Sequence, residues 1–255
     1  MTTQNKIYLR NLFGLLKPGT VVSSSWLESF GISRDLQKYY LKSGWLEQVG
    51  RGAYKKPNDK VAWPGAINAI QKQTDIKVHL GGLSALSQQG FSHYFRFEKE
   101  VLQLFSPLRH NLPKWFIDYD WGVKFLHKKT SFLPDNLGLK ELEIKQIPIL
   151  VSTPERAIME YLYLAPKQAD LVECYHIFEG LVNLKPKLVK ELLQNCNSIK
   201  VKRLFLFMAE KSNHTWFQFL DTENIDLGTG KRMIGENSVY NSKYQISIPR
   251  ELTEL

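Results

Sequence analysis

The chain has 255 residues, 43% hydrophobic and 23% charged, with 34 Lys and Arg against 25 Asp and Glu for a net charge of +9. That length can bury one large core or two modest ones, and the composition is that of an ordinary soluble globular protein. The longest apolar runs are a few residues, and no charged-then-apolar leader opens the chain, so no bilayer span is expected and a cytoplasmic location is.

Cys174 and Cys196 lie far apart and outside any C-x-x-C arrangement, which reads as reduced core thiols. The excess charge is concentrated. Residues 1–62 hold ten basic and four acidic residues, whereas the remainder holds 24 and 21. A basic N-terminal quarter suggests a polyanionic partner, nucleic acid ahead of membrane.

Leu9, Leu12, Phe13 and Leu16 recur at helical spacing, and Lys17-Pro18-Gly19-Thr20 stops that helix. Three serines then offer an N-cap to a short helix over 26–30, which Gly31 is placed to end. Ser33 caps a second helix over 34–44. In it Leu36, Tyr40 and Leu41 face inward, while Arg34, Gln37, Lys38 and Lys42 project outward. Two short helices about a Gly-containing turn match a helix-turn-helix. Arg and Gln can bond base edges bidentately, and Lys meets phosphate as a point charge. Residues 45–49 and 53–56 read as strands broken at Gly50-Arg51-Gly52, a wing whose Arg51, Lys55 and Lys56 are expected to grip phosphate. The bland alternative is a winged-helix adaptor that binds protein.

The stretch from Ser33 to Pro57 resembles the N-terminal winged helix of AbiEi-type antitoxins, the regulator halves of abortive-infection, type IV toxin–antitoxin pairs. Ser33-Arg34 opens the recognition helix, Gly44-Trp45 leads into the wing, and Arg51-Gly52-Ala53-Tyr54 fills the wing's Arg-Gly-x-Tyr pattern. With Ser33 and Tyr54 added by the resemblance, the expected DNA-contact set is Ser33, Arg34, Gln37, Lys38, Lys42, Arg51, Tyr54, Lys55 and Lys56.

Pro, Asn and Asp cluster around residues 56–64, dividing a first domain (1–60) from a second (61–255). A helix is predicted from Trp63, with Pro64 in its first turn, then a strand ending at Gly81-Gly82 and a small-residue helix. Strands are predicted over 100–107, 122–129 and 142–150. Ser152, three before Glu155, and Pro154 mark the start of a helix that buries Ile158, Tyr161, Leu162 and Ala165. Three further helical patterns carry Leu171/Tyr175/Phe178/Val182, Leu188/Leu192 and Val201/Leu204/Phe205/Met208. The fold class is α+β: a winged helix-turn-helix followed by a mixed α/β domain with a helical bundle and a β-hairpin-like tail over 226–249.

Catalytic patterns fail or match weakly. In Asp226–Gly235, counting back from Gly230-Lys231 puts Ile225 where a P-loop needs its first Gly, and Arg232 where it needs Ser or Thr. Gly228 and Gly230 are instead expected to make a tight turn that presents Lys231 and Arg232 to nucleic acid, to a protein partner or to water. Gly81-Gly82 and Ser84 imitate the first half of a nucleotidyltransferase motif, but no paired carboxylates follow in time; Asp118 and Asp120 come too late. Asp135, Glu143 and Lys145 match the short, degenerate PD-(D/E)xK nuclease pattern. Arg156 and Glu160, one helical turn apart, read as a surface ion pair of small value. Cys174 and His176 point to different helix faces, so no zinc site is expected.

The order of Gly81-Gly82 helix, strand, Ser152–Leu162 helix start, helices and Asp226–Pro249 tail resembles the C-terminal domain of the same antitoxin family. The likeness then covers nearly the whole chain. It implies that residues 61–255 counteract a nucleotidyltransferase-like toxin, while the winged helix binds double-stranded operator DNA and represses the shared operon. A non-enzymatic protein with no cofactor or metal is expected. A DNA-targeted nuclease and a ligand-sensing transcription factor are the readings from other classes. A chain lacking residues 1–62 is expected to lose repression and keep antitoxicity.

Overall fold

The computed structural model describes residues 12–14, 16–91, 100–235 and 237–254, so Leu9 of the first expected helix lies outside the described residues. Residues 12–14 are helical, and Leu16 N donates to Leu12 O at 2.9 Å. There follow strand β1 (Val22–Ser23), helix α1 (Ser24–Ser29), helix α2 (Arg34–Lys42), and strands β2 (Glu47–Gly50) and β3 (Ala53–Lys55). Ser23 Oγ caps α1 by accepting from Trp26 N, and Ser33 Oγ caps α2 by accepting from Leu36 N, each at 3.3 Å. Between the helices Gly31 takes φ +79°, a conformation that L side chains rarely adopt. β3 lies between β1 and β2 and runs antiparallel to both. Arg51 and Gly52 form the β2–β3 turn, where Gly52 O accepts from Ser24 N at 2.8 Å. Leu12, Leu16, Val22, Leu27, Ile32, Tyr40 and Leu46 make a small core for this unit.

The remainder is mixed α/β, so the chain as a whole is α+β. Helix α3 (Trp63–Gln73), β4 (His79–Leu80), α4 (Gly82–Gln88), β5 (Val101–Ser106), α5 (Lys114–Asp118), β6 (Lys124–Lys129), β7 (Leu139–Ile144) and β8 (Ile147–Ser152) come first. Their strands form one sheet in the order β6-β5-β4-β8-β7, with β5–β6 and β4–β8 parallel and the other pairs antiparallel. The single strand expected over 142–150 is instead a hairpin. Lys145 and Gln146 turn it at φ +51° and +64°, the two-residue geometry normally signalled by Asn-Gly.

Helices α6 (Pro154–Leu164), α7 (Leu171–Glu179), α8 (Pro186–Gln194) and α9 (Ile199–Lys211) then fill out the large core. The expected inward residues of α6 and α9 are all buried, whereas Val182 lies beyond the end of α7 and is 56% exposed. The expected Ser152–Glu155 capping box does not form. Thr153 is the N-cap, the Ser152 hydroxyl donates to Glu160 Oε2 at 2.7 Å, and Glu155 Oε1 accepts from Lys185 N at 3.0 Å. The tail is more than a hairpin. β10 (Ser238–Asn241) and β11 (Ile246–Pro249) pair antiparallel, and β9 (Arg232–Met233) adds parallel to β11. No described helix is long and apolar enough to cross a membrane.

The two cores meet along α3. Val21, Val49 and Ala53 belong to the larger cluster, and a Cβ on Gly65 would overlap the Gly19 carbonyl. Gln73 reaches back to β1: its Oε1 accepts from Ser23 N at 2.7 Å and its Nε2 donates to Val21 O at 2.8 Å.

Candidate nucleic-acid interface

Helix α2 carries a stripe of cations at positions 34, 38 and 42, four residues apart and hence on one face. All three are exposed; the Arg34 and Lys38 side chains are 75% and 78% accessible. Arg34 Nε lies 3.1 Å from Glu28 Oε1 and Lys38 Nζ 3.3 Å from Asp35 Oδ1. Such solvent-exposed pairs are worth well under about 1 kcal/mol, so either cation can exchange its partner for a phosphate. Arg51 and Lys56 are also exposed.

Three expected contact residues are committed elsewhere. Gln37 is 1% exposed. Its Nε2 donates to Ile32 O at 2.8 Å and to Ser24 O at 3.1 Å, and its Oε1 accepts from Ser24 Oγ at 2.7 Å. It ties α2 to α1 and has no amide edge left for a base, which corrects the outward projection read from its polarity. Lys55 is buried, with Nζ 2.9 Å from Glu47 Oε1 and donating to Asp59 O at 2.7 Å. Its charge is spent inside the protein, where the hydrogen bond it donates to Glu47 raises its pKa, rather than on phosphate. The Ser33 hydroxyl is occupied as the α2 cap, and Tyr54 is half-buried against the small core.

Two clusters of charge missed as such in the sequence lie deep in the second part. Glu160 on α6 is wholly shielded: Arg156 Nε donates to its Oε1 at 2.7 Å, and His79 Nε2 lies 2.8 Å from the same oxygen. Its Oε2 accepts from Ser152 Oγ at 2.7 Å and from Gly82 N at 3.1 Å. Burial alone raises a carboxyl pKa, but His79, Arg156 and Ser152 outweigh it and hold Glu160 at about 2. The surface ion pair expected of Arg156 and Glu160 is thus a core element. Gly81-Gly82 serves it: a Cβ on Gly81 would overlap the Glu160 carboxylate, and Gly82 has φ +52°. The anion that this turn cradles is the protein's own.

The second cluster explains Asp226–Gly235. Arg203 on α9 is 1% exposed and donates into the loop. Its Nε reaches Leu227 O at 2.8 Å, Nη1 reaches Gly230 O at 2.7 Å and Gln245 O at 2.8 Å, and Nη2 reaches Gly228 O at 3.1 Å. A phosphate cradle needs converging N–H groups; this loop converges carbonyls on a cation. Gly228 and Gly230, at φ +63° and +78°, make the expected tight turn. Lys231 and Arg232 emerge exposed, Lys231 Nζ standing 4.8 Å from the centre of the Tyr240 ring.

The nuclease pattern is not assembled. Asp135 precedes β7 and pairs with Lys77 at 3.3 Å, while Glu143 lies at the far end of that strand opposite Pro148 and Lys145 sits in the turn beyond. Cys174 is buried and His176 exposed, so they do not converge.

The description of one matching family model, over residues 99–249, is transcriptional regulator, AbiEi antitoxin of type IV toxin–antitoxin systems; that of a second, over residues 5–97, is the N-terminal domain of that antitoxin. Among curated proteins nothing matches. Among solved structures, the chain is similar to the RV2827C protein from Mycobacterium tuberculosis: 14% identity, TM-score 0.57, over 95% of this chain and 89% of that one. At that identity the likeness is one of fold.

Proposed function

The chain belongs to the AbiEi antitoxin and transcriptional-regulator family of type IV toxin–antitoxin systems, and on that premise we propose that it represses its own operon and counteracts a nucleotidyltransferase-like toxin. In this reading residues 1–60 are a winged helix-turn-helix, with α2 as recognition helix and the β2–β3 turn as wing. Residues 61–255 are the antitoxin domain, and the protein acts in the cytoplasm as a regulator rather than an enzyme. The observation that carries the DNA reading is the exposed stripe Arg34–Lys38–Lys42 on a helix whose other side is buried.

The contact set is Arg34, Lys38, Lys42, Arg51 and Lys56, with Tyr54 at its edge. Arg34, at the helix start, is placed as helix-turn-helix proteins place their base-reading residues, and the lysines and wing cations meet phosphate. Lys231 and Arg232 are a separate exposed cationic pair, available to nucleic acid or toxin.

The test is a charge-reversed variant, Arg34→Glu/Lys38→Glu/Lys42→Glu, assayed twice: for binding to the DNA upstream of its own operon and for growth when co-expressed with the neighbouring gene product. Loss of DNA binding with retained rescue supports the reading. A folded variant that still binds the operator, or a wild-type protein that never rescues growth, overturns the corresponding half.

A further inference from the structure

A cavity of about 440 Å³ opens beside the buried Glu160 cluster. It runs past the start of β4 and the end of β5, and residues 133–139 and Arg156 close one side. Its volume is within the range of small-molecule sites.

Two of its lining side chains are nine-tenths buried and only partly satisfied. The Arg156 side chain is 6% exposed; its Nε is used by Glu160, and its Nη1 donates to Pro134 O and Leu137 O, both at 2.6 Å. That leaves Nη2 with no hydrogen-bond partner among the described residues. The His79 side chain is 7% exposed; Nε2 faces Glu160, and Nδ1 likewise has no partner among the described residues. Neither atom is fully shielded, and both residues line this cavity, so each can meet a bound group there. The other walls include the apolar Ile76, Phe105, Leu133 and Leu139.

We propose that this cavity binds a small organic oxyanion: an apolar body of about one aromatic ring with a carboxylate or phosphate head that accepts from Arg156 Nη2. The apolar walls take the ring. A guanidinium is the side chain best matched to a planar carboxylate or a phosphate. With Nε2–H turned to the Glu160 carboxylate, His79 Nδ1 is an acceptor, which favours a hydroxyl beside the head rather than a second anionic oxygen. Of the rim charges, Lys77 is held by Asp135 at 3.3 Å and Asp75 is exposed to solvent. This site is distinct from the DNA-facing stripe and does not depend on the operator reading.

Calorimetric titration of the full chain with phenyl phosphate and with benzoate tests it, with benzyl alcohol as the neutral control. Either anion is expected to bind at least tenfold more tightly than benzyl alcohol, and which one wins distinguishes a phosphate from a carboxylate head. Arg156→Lys should weaken that anion about tenfold. Because Arg156 is also structural, Ile76→Trp is the second variant; it fills the cavity from the wall without touching the charged cluster and should abolish binding. No binding of either anion overturns the proposal. So does equal binding of the alcohol, or undiminished binding by a folded Ile76→Trp protein.

Discussion

Arg156 Nε donates to Glu160 Oε1 at 2.7 Å across one turn of α6, with the carboxylate wholly shielded from solvent. Removing one partner of a buried pair strands the other charge, at a cost of about 3–5 kcal/mol. Glu160→Gln is therefore expected to lower the denaturation midpoint steeply. The acid limb tests the same relation. Glu160 is held at about 2, below its ordinary 4.5, so its stabilisation is present above pH 4.5 and lost as pH falls toward 2. The shift corresponds to something on the order of 3 kcal/mol. Urea midpoints measured from pH 6 to pH 3 should fall in the wild type and fall less in the variant. Parallel curves would show that another carboxylate governs acid unfolding.

Neighbouring positions on α2 should behave in opposite ways. Gln37→Ala leaves Ser24 O and Ile32 O without their buried donor and should cost about 1–3 kcal/mol. Lys38→Ala and Lys42→Ala sit on the exposed face and should change stability by no more than about 0.5 kcal/mol. Each lysine change should instead lower operator affinity and reduce the slope of log K against log salt by about one. Thermal melts and salt-dependent DNA titrations read the two effects separately; an unchanged salt slope would remove these lysines from the interface.

Arg203→Met should free Leu227, Gly228 and Gly230 carbonyls from their donor and loosen the turn that leads into β9. Limited proteolysis is expected to cut within residues 226–235 of this variant and spare the wild type. Lys231→Glu/Arg232→Glu, confined to exposed side chains, should stay resistant. Equal cleavage of all three proteins would mean that Arg203 does not order the loop.

Burial raises both thiols, Cys196 to about 11 and Cys174 further still. Thiolate is the reactive form, so iodoacetamide at pH 8 should alkylate the native protein at least about a hundredfold more slowly than the urea-unfolded chain. Rapid native labelling would place a cysteine nearer the surface than the structure does.

The outlines of these elements were legible in the sequence because they depend on local signals. Ser33 caps α2, Gly31 supplies the left-handed link, and Gly228 and Gly230 turn where expected. What was hidden depended on which polar residues go inside. Gln37 reads as outward on polarity alone, although it follows Leu36 and precedes Tyr40 on the inner face. Arg156, Glu160 and Arg203 sit on helices that are buried along most of their length, so their charges must be paired. Residues 154–164 and 199–211 each carry several charges and do not announce that burial, and the partners, His79 and the Asp226–Gly235 carbonyls, arrive from distant chain. The β7–β8 turn was unreadable for a different reason: Lys145-Gln146 is not a pair that ordinarily takes positive φ.

Gln71 and Gln73, two positions apart on α3, are spent on different sheets. Gln71 bonds both Leu150 N and Leu150 O in the large one, while Gln73 holds Val21 and Ser23 in the small one. With Gly65 pressed against Gly19, the strands on either side meet along one tightly packed seam. The intact chain should therefore melt as a single cooperative unit, giving one calorimetric peak whose van't Hoff and calorimetric enthalpies agree. A fragment beginning at residue 63 would uncover that seam and lose stability along with DNA binding. The proposed repression and rescue are then better separated by altering charges on α2, where a deletion would confound them.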